Sequence, residues 1–252
     1  MNRLITQYGT ITQNNIPVIT CYPDRQTNLP LVLLNHGTTG NRHDTLDMAV
    51  MLASRGHFCV NIDAVLHGDR ANGKMEEWLE PSVYKNNYLT MLLQMAKDMQ
   101  AIVEFYDTDE HVDTSRVGMT GLSQGGYVTF MTLTKTDRIT AAAPIIGSPD
   151  LEDKFGFSPD WSDIPQEVRD AVTANNPLHN FDMIYPSALL IQSSIEDDIV
   201  PVTGTRRLNE KLRPMYASCP EKYEYIEYPD IGHVVTREMK MHAVDWLTEM
   251  LS

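Results

Sequence analysis

The chain has 252 residues, 42% of them apolar, and carries 34 acidic against 20 basic side chains, for a formal charge of −14. That length suits one large domain, and that charge repels phosphate backbones and anionic lipid surfaces, so nucleic-acid and membrane-surface binding are set aside. Three widely spaced cysteines without metal-ligand spacing, no run near the ~20 apolar residues of a membrane span, and an amino terminus without a signal-peptide core point to the cytoplasm.

In chain order, LITQYGTITQNNIPVITCYP (4–23) reads as two β-runs joined at Asn14-Asn15, a turn pair that tolerates left-handed backbone. LVLLN (31–35) is a continuous apolar run, the mark of a strand buried on both faces. Asp44–Arg55 then spaces Leu46, Val50, Met51 and Ala53 as a helix, with Gly56 stopping it. HFCVNIDA (57–64) is the next strand, and Asn87–Tyr106 sets Leu89, Leu92, Leu93, Ala96, Met99, Ile102 and Val103 on one helical face. Strands are expected at Arg116–Thr120, AAAPIIG (141–147), SALLIQSS (187–194) and YEYIEY (223–228), and helices at Tyr127–Thr134, Thr205–Tyr216 and Thr236–Met250.

Alternating units of this kind predict an α/β fold, a mostly parallel sheet with helices on both faces and with ligands beyond the carboxyl ends of its strands. Residues 1–252 form one domain in this reading. Two stretches interrupt the alternation after a strand. Residues 148–186 are expected to form a lid or small cap, and residues 65–86 suit either a surface loop or a second part of the lid. Trp78, Trp161, Phe155, Phe157 and Met183 in these stretches fit either apolar substrate contacts or anchors to the core.

The stretch VGMTGLSQGG (117–126) places Ser123 between an expected strand and an expected helix, flanked by Gly121, Gly125 and Gly126. Glycines there let strand and helix crowd together while the serine stands on a sharp turn, which is the G-x-S-x-G nucleophile elbow. A serine needs a base, usually a histidine oriented by a carboxylate. Asp197 and Asp198 follow the strand 187–194, and His233 follows the strand 223–228. The order Ser123, aspartate, His233 is that of α/β-hydrolases. The aspartates also suit turn or helix-cap positions. An oxyanion hole would take one backbone N–H from Gln124 and one from the loop NHGTTGN (35–41), where Thr38 is the expected donor. His36 is read as the organiser of that loop.

On NHGTTGN (35–41), DAVLHGDR (63–70), GLSQGG (121–126), EDDIVP (196–201) and IGHVVT (231–236), the chain resembles the prolyl-oligopeptidase/dienelactone-hydrolase branch of the α/β-hydrolases, close to its small single-domain esterases. The resemblance implies about eight strands with an antiparallel amino-terminal hairpin. Its D-x-x-V-P pattern selects Asp197 over Asp198, and its D-x-x-x-H-G-x-R pattern makes Asp63, His67, Gly68 and Arg70 candidates to line or brace the pocket edge, with His36 and Trp161 as further pocket candidates. It implies a serine carboxylesterase on small soluble esters, with no metal or cofactor and possible self-association. Ser123 in place of cysteine disfavours dienelactone hydrolysis, and residues 1–30 have no room for a propeller domain. A small peptidase, an acyltransferase and a non-catalytic binding protein on the same scaffold are the alternatives.

Overall fold

The computed structural model describes residues 3–153 and 159–252. Asn14 and Asn15 both adopt left-handed backbone, φ 63° and 50°. They fold β1 (Leu4–Ile11) back on β2 (Ile16–Pro23), with Leu4 opposite Pro23 and Ile11 opposite Ile16. The chain continues through β3 (Leu29–Asn35), α1 (Leu46–Ala53), β4 (Phe58–Ile62), the short α2 (Met75–Trp78), α3 (Tyr84–Tyr106), β5 (Val112–Leu122) and α4 (Gln124–Leu133). It ends through β6 (Ala141–Ile145), α5 (Gln166–Asn175), β7 (Ala188–Ser194), α6 (Thr203–Leu212), β8 (Tyr223–Tyr228) and α7 (Arg237–Met250).

Among the described residues the strands form one eight-stranded sheet in the order β1-β2-β4-β3-β5-β6-β7-β8. The hairpin joins β4 antiparallel, and every pairing from β4 through to β8 is parallel. Side chains alternate across the sheet: Leu31 and Leu33 of β3 enter one core, Val32 and Leu34 the other. The first core is covered by α3, α4 and α6, the second by α1 and α7. This is the mostly parallel α/β-hydrolase sheet expected from the sequence, with its antiparallel amino-terminal hairpin.

Three helices start earlier than their sequence spacing suggests, α6 by two residues at Thr203. α3 begins at Tyr84, not Asn87, and takes in Lys85, which is buried and donates to the carbonyls of Leu151 (2.7 Å) and Asp153 (2.8 Å). α4 begins at Gln124, not Tyr127, because Gly125 and Gly126 are helical residues pressed against neighbouring backbone. The described part of 148–186 contains α5 and is tied at its root by Asn176, which donates to Asp150 (2.9 Å) and accepts from the Leu151 N–H (3.2 Å). Trp161 and Trp78 pack on the main core, while Met183 is exposed. Phe155 and Phe157 lie outside the described residues.

Candidate active site

Parallel register decides where the chemistry gathers. Asn35 pairs with Ile62 on one side and with Gly121 on the other, and Gly121 pairs with Pro144. The loops after β3, β4, β5 and β6 therefore leave the sheet at one level. β5 ends one residue before Ser123, whose backbone takes φ 51°, ψ −109°. A non-glycine residue in such a sparsely populated region costs ~1–3 kcal/mol and persists only where its surroundings hold it. Here the Ser123 N–H donates to the Ile145 carbonyl (2.9 Å), and the Ser123 carbonyl accepts from Gly126 (2.8 Å) and Tyr127 (3.2 Å).

The glycines make that turn sterically possible. A Cβ on Gly121 would meet the Gly125 carbonyl and lie 2.7 Å from Gly125 Cα. One on Gly125 would collide with the Asn35 backbone, and one on Gly126 would lie 2.9 Å from Gly147 Cα. None of the three has positive φ. They are required by close packing, not by a special backbone conformation.

The loops after β7 and β8 bring the partners. Ser123 Oγ lies 2.9 Å from His233 Nε2, and His233 Nδ1 lies 2.7 Å from Asp197 Oδ2. A carboxylate only accepts, so Nδ1 carries the proton and Nε2 is left as an acceptor for the serine hydroxyl. Asp197 is buried and fixed in turn, since its Oδ1 accepts the N–H groups of Ile199 (3.0 Å) and Val200 (2.7 Å). The two loops are laced together by Ile195 N–H to Tyr228 O (3.0 Å) and Glu196 N–H to Ile231 O (3.2 Å). Asp198 takes no part in this chain of bonds.

Facing Ser123 across the cleft is the turn Gly37–Gly40, closed by Gly40 N–H to Gly37 O (3.1 Å) with Thr39 left-handed at φ 63°. Among the described residues, neither the Thr38 N–H nor the Gln124 N–H donates to a protein acceptor. Gln124 is the first residue of α4, where an N–H has no intrahelical partner. Both are therefore left open to an acceptor in the cleft. His36 holds the turn from the sheet side. Its Nδ1–H donates to Gly37 O (2.7 Å) and its Nε2 accepts the Ala64 N–H (3.0 Å). Both ring nitrogens are occupied, and burial pushes its pKa below the ordinary histidine value.

A cleft of about 270 Å³ opens over these groups, lined by Gly37, Thr38, Ser123, Gln124 and His233 and walled by Tyr84, Tyr88, Tyr127, Ile199 and Val200. Tyr84 and Tyr88 stack with ring centres 5.6 Å apart, and Tyr127 meets Tyr88 edge-on at 5.5 Å. Ile199 and Val200 belong to the EDDIVP motif that also holds Asp197, whereas the three tyrosines carry no motif, although the one-turn spacing of Tyr84 and Tyr88 and the position of Tyr127 one turn beyond Ser123 are visible in the sequence. A larger, open depression between α1 and the start of α7 is lined by Leu46, Val50, Met51 and Val235, and its polar groups include the Lys240–Asp47 ion pair.

His36, Asp63, His67, Arg70 and Trp161, considered above as pocket residues, are absent from the described lining of the cleft. Four of them brace its rim from below. Fully buried Asp63 accepts from the Arg42 guanidinium, the Arg42 N–H (2.8 Å) and the Asp69 N–H (2.9 Å). Arg70 bonds the Asp63 carbonyl (3.2 Å) and pairs with buried Asp98 (2.7 Å). His67 donates to Val65 O (2.8 Å), and its ring lies 5.2 Å from that of His36. Trp161 instead packs on the core beside Lys85, 6.0 Å from the ammonium. Arg42, the cation paired with the Asp63 carboxylate, carried no recognisable pattern in the sequence.

Comparison with known proteins places this arrangement. YitV of Bacillus subtilis is 24% identical over 239 residues, covering 90% of this chain and 92% of that one. Esterase YjfP of Escherichia coli is 23% identical over 256 residues, covering 94% and 96%. The crystal structure of TT1662 from Thermus thermophilus shares the fold with a TM-score of 0.80 at 21% identity, covering 99% of both chains. The family described as "Prolyl oligopeptidase family" matches residues 48–252, from within α1 to the carboxyl terminus. That match takes in the serine, the aspartate and the histidine joined above, and the chain belongs to the prolyl oligopeptidase family of α/β-hydrolases.

Proposed function

We propose that the protein is a serine carboxylesterase that cleaves small esters through an acyl-enzyme on Ser123. The observation that carries the reading is the unbroken series Asp197, His233, Ser123 at the base of a cleft, with one unclaimed backbone N–H beside the serine at Gln124 and one across from it at Thr38. Ser123 Oγ attacks the ester carbonyl as His233 Nε2 takes its proton. Asp197 keeps His233 in the required tautomer and stabilises the imidazolium that forms. The Thr38 and Gln124 N–H groups receive the negative oxygen of the tetrahedral intermediate. His233 then returns the proton to the departing alcohol. Water, activated by the same histidine, releases the acid.

The cleft favours small, uncharged acyl groups. Its volume lies at the lower edge of the ~300–1,000 Å³ usual for ligand pockets. Its described walls are tyrosine and aliphatic, with no carboxylate free to hold the terminal ammonium of a peptide. The name of YjfP supports the ester side, and the family description supports a peptidase. Trp161 is read as an anchor of the 148–186 segment, which we interpret as a cap on one domain.

The test is hydrolysis of p-nitrophenyl acetate, butyrate and octanoate by native protein and Ser123→Ala, with intact mass after a fluorophosphonate. Turnover lost by several orders of magnitude in the variant, with one adduct on the native serine, is the expected result. Native protein that neither turns over nor acquires an adduct overturns the reading. Aminoacyl-arylamides cleaved faster than any of the esters would replace it with a peptidase.

A further inference from the structure

The two residues that present the open N–H groups also touch through their side chains. Thr38 Oγ1 donates to Gln124 Oε1 at 3.1 Å, linking positions 86 residues apart. We propose that this contact is a positioning bridge that sets the spacing of the two oxyanion donors. The inference rests on the esterase reading above and concerns what holds the oxyanion hole in shape.

The need for such a bridge follows from how each donor is mounted. Gln124 sits at the start of α4, on an elbow locked by backbone bonds to Ile145, Gly126 and Tyr127. Thr38 sits on a turn outside the sheet, beyond the last residue of β3. His36 fixes the Gly37 carbonyl on the sheet side of that turn. Towards the cleft, Gly37 lies within ordinary contact range of the elbow, where a Cβ on it would sit 3.6 Å from Ser123 Cβ. The bridge fixes the turn at this crossing, on the side of the donor.

The Gln124 amide has little else to hold it. The residue is 1% exposed, and its Nε2 is buried without a hydrogen-bond partner. An orphaned buried group of this kind is costly, and losing the Thr38 hydroxyl would orphan the whole amide. The bond therefore orders the glutamine side chain and the turn together. A displacement of about 1 Å in a catalytic group costs ~10²-fold in rate, and deleting one oxyanion donor costs ~10²–10³. A tilted donor should cost about as much as the lower of these.

Thr38→Val removes the hydroxyl while keeping the β-branched shape and the backbone N–H. The expected result is a ~10–100-fold fall in kcat with KM within about threefold. Thr38→Ser restores kcat to within about threefold, because it restores the donor. Gln124→Met loses as much as Thr38→Val, and the double variant loses no more than either, as for two halves of one interaction. Labelling of Ser123 by a fluorophosphonate slows in parallel, since its phosphoryl oxygen occupies the same donors. Melting curves of all variants identify any that lose activity by unfolding, and Gln124→Met carries the test if Thr38→Val does not fold.

Three results overturn the bridge while leaving the esterase reading intact: native kcat in folded Thr38→Val, a rise in KM alone, or losses that multiply in the double variant. Native protein that is neither labelled nor active removes the esterase reading, and the bridge with it.

Discussion

Replacing Gly121 by alanine tests whether the elbow depends on bare backbone. The added methyl would face the Gly125 carbonyl and lie 2.7 Å from Gly125 Cα. Carbon atoms pack at ~3.5–4.0 Å, so strand and helix must separate by about 1 Å. The obstruction is main chain, and no rotamer change relieves it. Overpacking of this kind costs ~1–3 kcal/mol where side chains can yield, and the upper end is expected here. For a chain of this size, about 3 kcal/mol lowers Tm by roughly 6–12 °C. The same movement shifts Ser123 against His233, and 1 Å there costs ~10²-fold in rate. Thermal melting and the rate of fluorophosphonate labelling read the two effects separately. Gly9→Ala is the control, because its methyl would meet Val18 Cγ2 at an ordinary 3.7 Å on an exposed strand. If Gly121→Ala melts with the native protein and labels at the native rate, the close-packing account of the elbow is wrong.

Asp197→Asn should leave folding intact but free His233 to take the wrong tautomer, lowering kcat by ~10⁴; a loss under tenfold would remove Asp197 from the reaction. Asp63→Asn replaces a buried carboxylate that serves the Arg42 guanidinium and two N–H groups, and breaking such a pair costs ~3–5 kcal/mol. Chemical denaturation should show that loss, and an unchanged midpoint would mean the network bears no weight. Lys85 gives a pH signature. Burial, opposed by Asp150, Asp153 and Glu152, pulls its ammonium from 10.5 down to about 8. Between those values the unfolded chain holds a proton that the folded chain has lost, so this group adds stability as pH rises through the window. That gap amounts to about 3 kcal/mol. The urea stability of native protein minus that of Lys85→Met should therefore climb by ~2–3 kcal/mol from pH 7.5 to 10. A flat difference would show that desolvation of this ammonium is not the governing effect.

What could be read in the sequence depended on whether a residue's role is set locally. LVLLN is apolar on both faces because β3 is buried on both, so its place in the sheet was visible without any partner. Asn14-Asn15 turned the hairpin as their tolerance of left-handed backbone suggested. Ser123, His233 and the pair Asp197-Asp198 could be picked out because each follows a strand, and a parallel sheet delivers all strand ends to one edge; only the D-x-x-V-P pattern of the resemblance chose Asp197. The first turn of α3 was hidden because Lys85 breaks the apolar spacing, and what makes a lysine acceptable there is a pair of carbonyls more than sixty residues away. The start of α4 was hidden because glycine reads as a turn signal, whereas Gly125 and Gly126 are in the helix to allow contact with Asn35 and Gly147.

The cleft walls and the brace beneath it were hidden for one further reason, which also explains why they lie where they do. Tyr84, Tyr88 and Tyr127 are buried aromatics on two helices, and nothing in their own segments separates them from core. They become a wall only because α3 packs beside α4, the helix that follows Ser123. Likewise Arg42 and Asp63 are 21 residues apart and in no common motif, yet the level pairing of Asn35 with Ile62 sends the loops after β3 and β4 out side by side, where guanidinium and carboxylate meet. The register that brings Ser123, His233 and the Thr38 turn to one edge is thus the register that brings the brace to the same edge. The strained backbone of Ser123 and the unladdered turn of Thr38 both stand on it. A substitution that moved β3 relative to β4 or β5 would disturb all of these groups together, which is why the steric test at Gly121 is expected to cost both stability and rate.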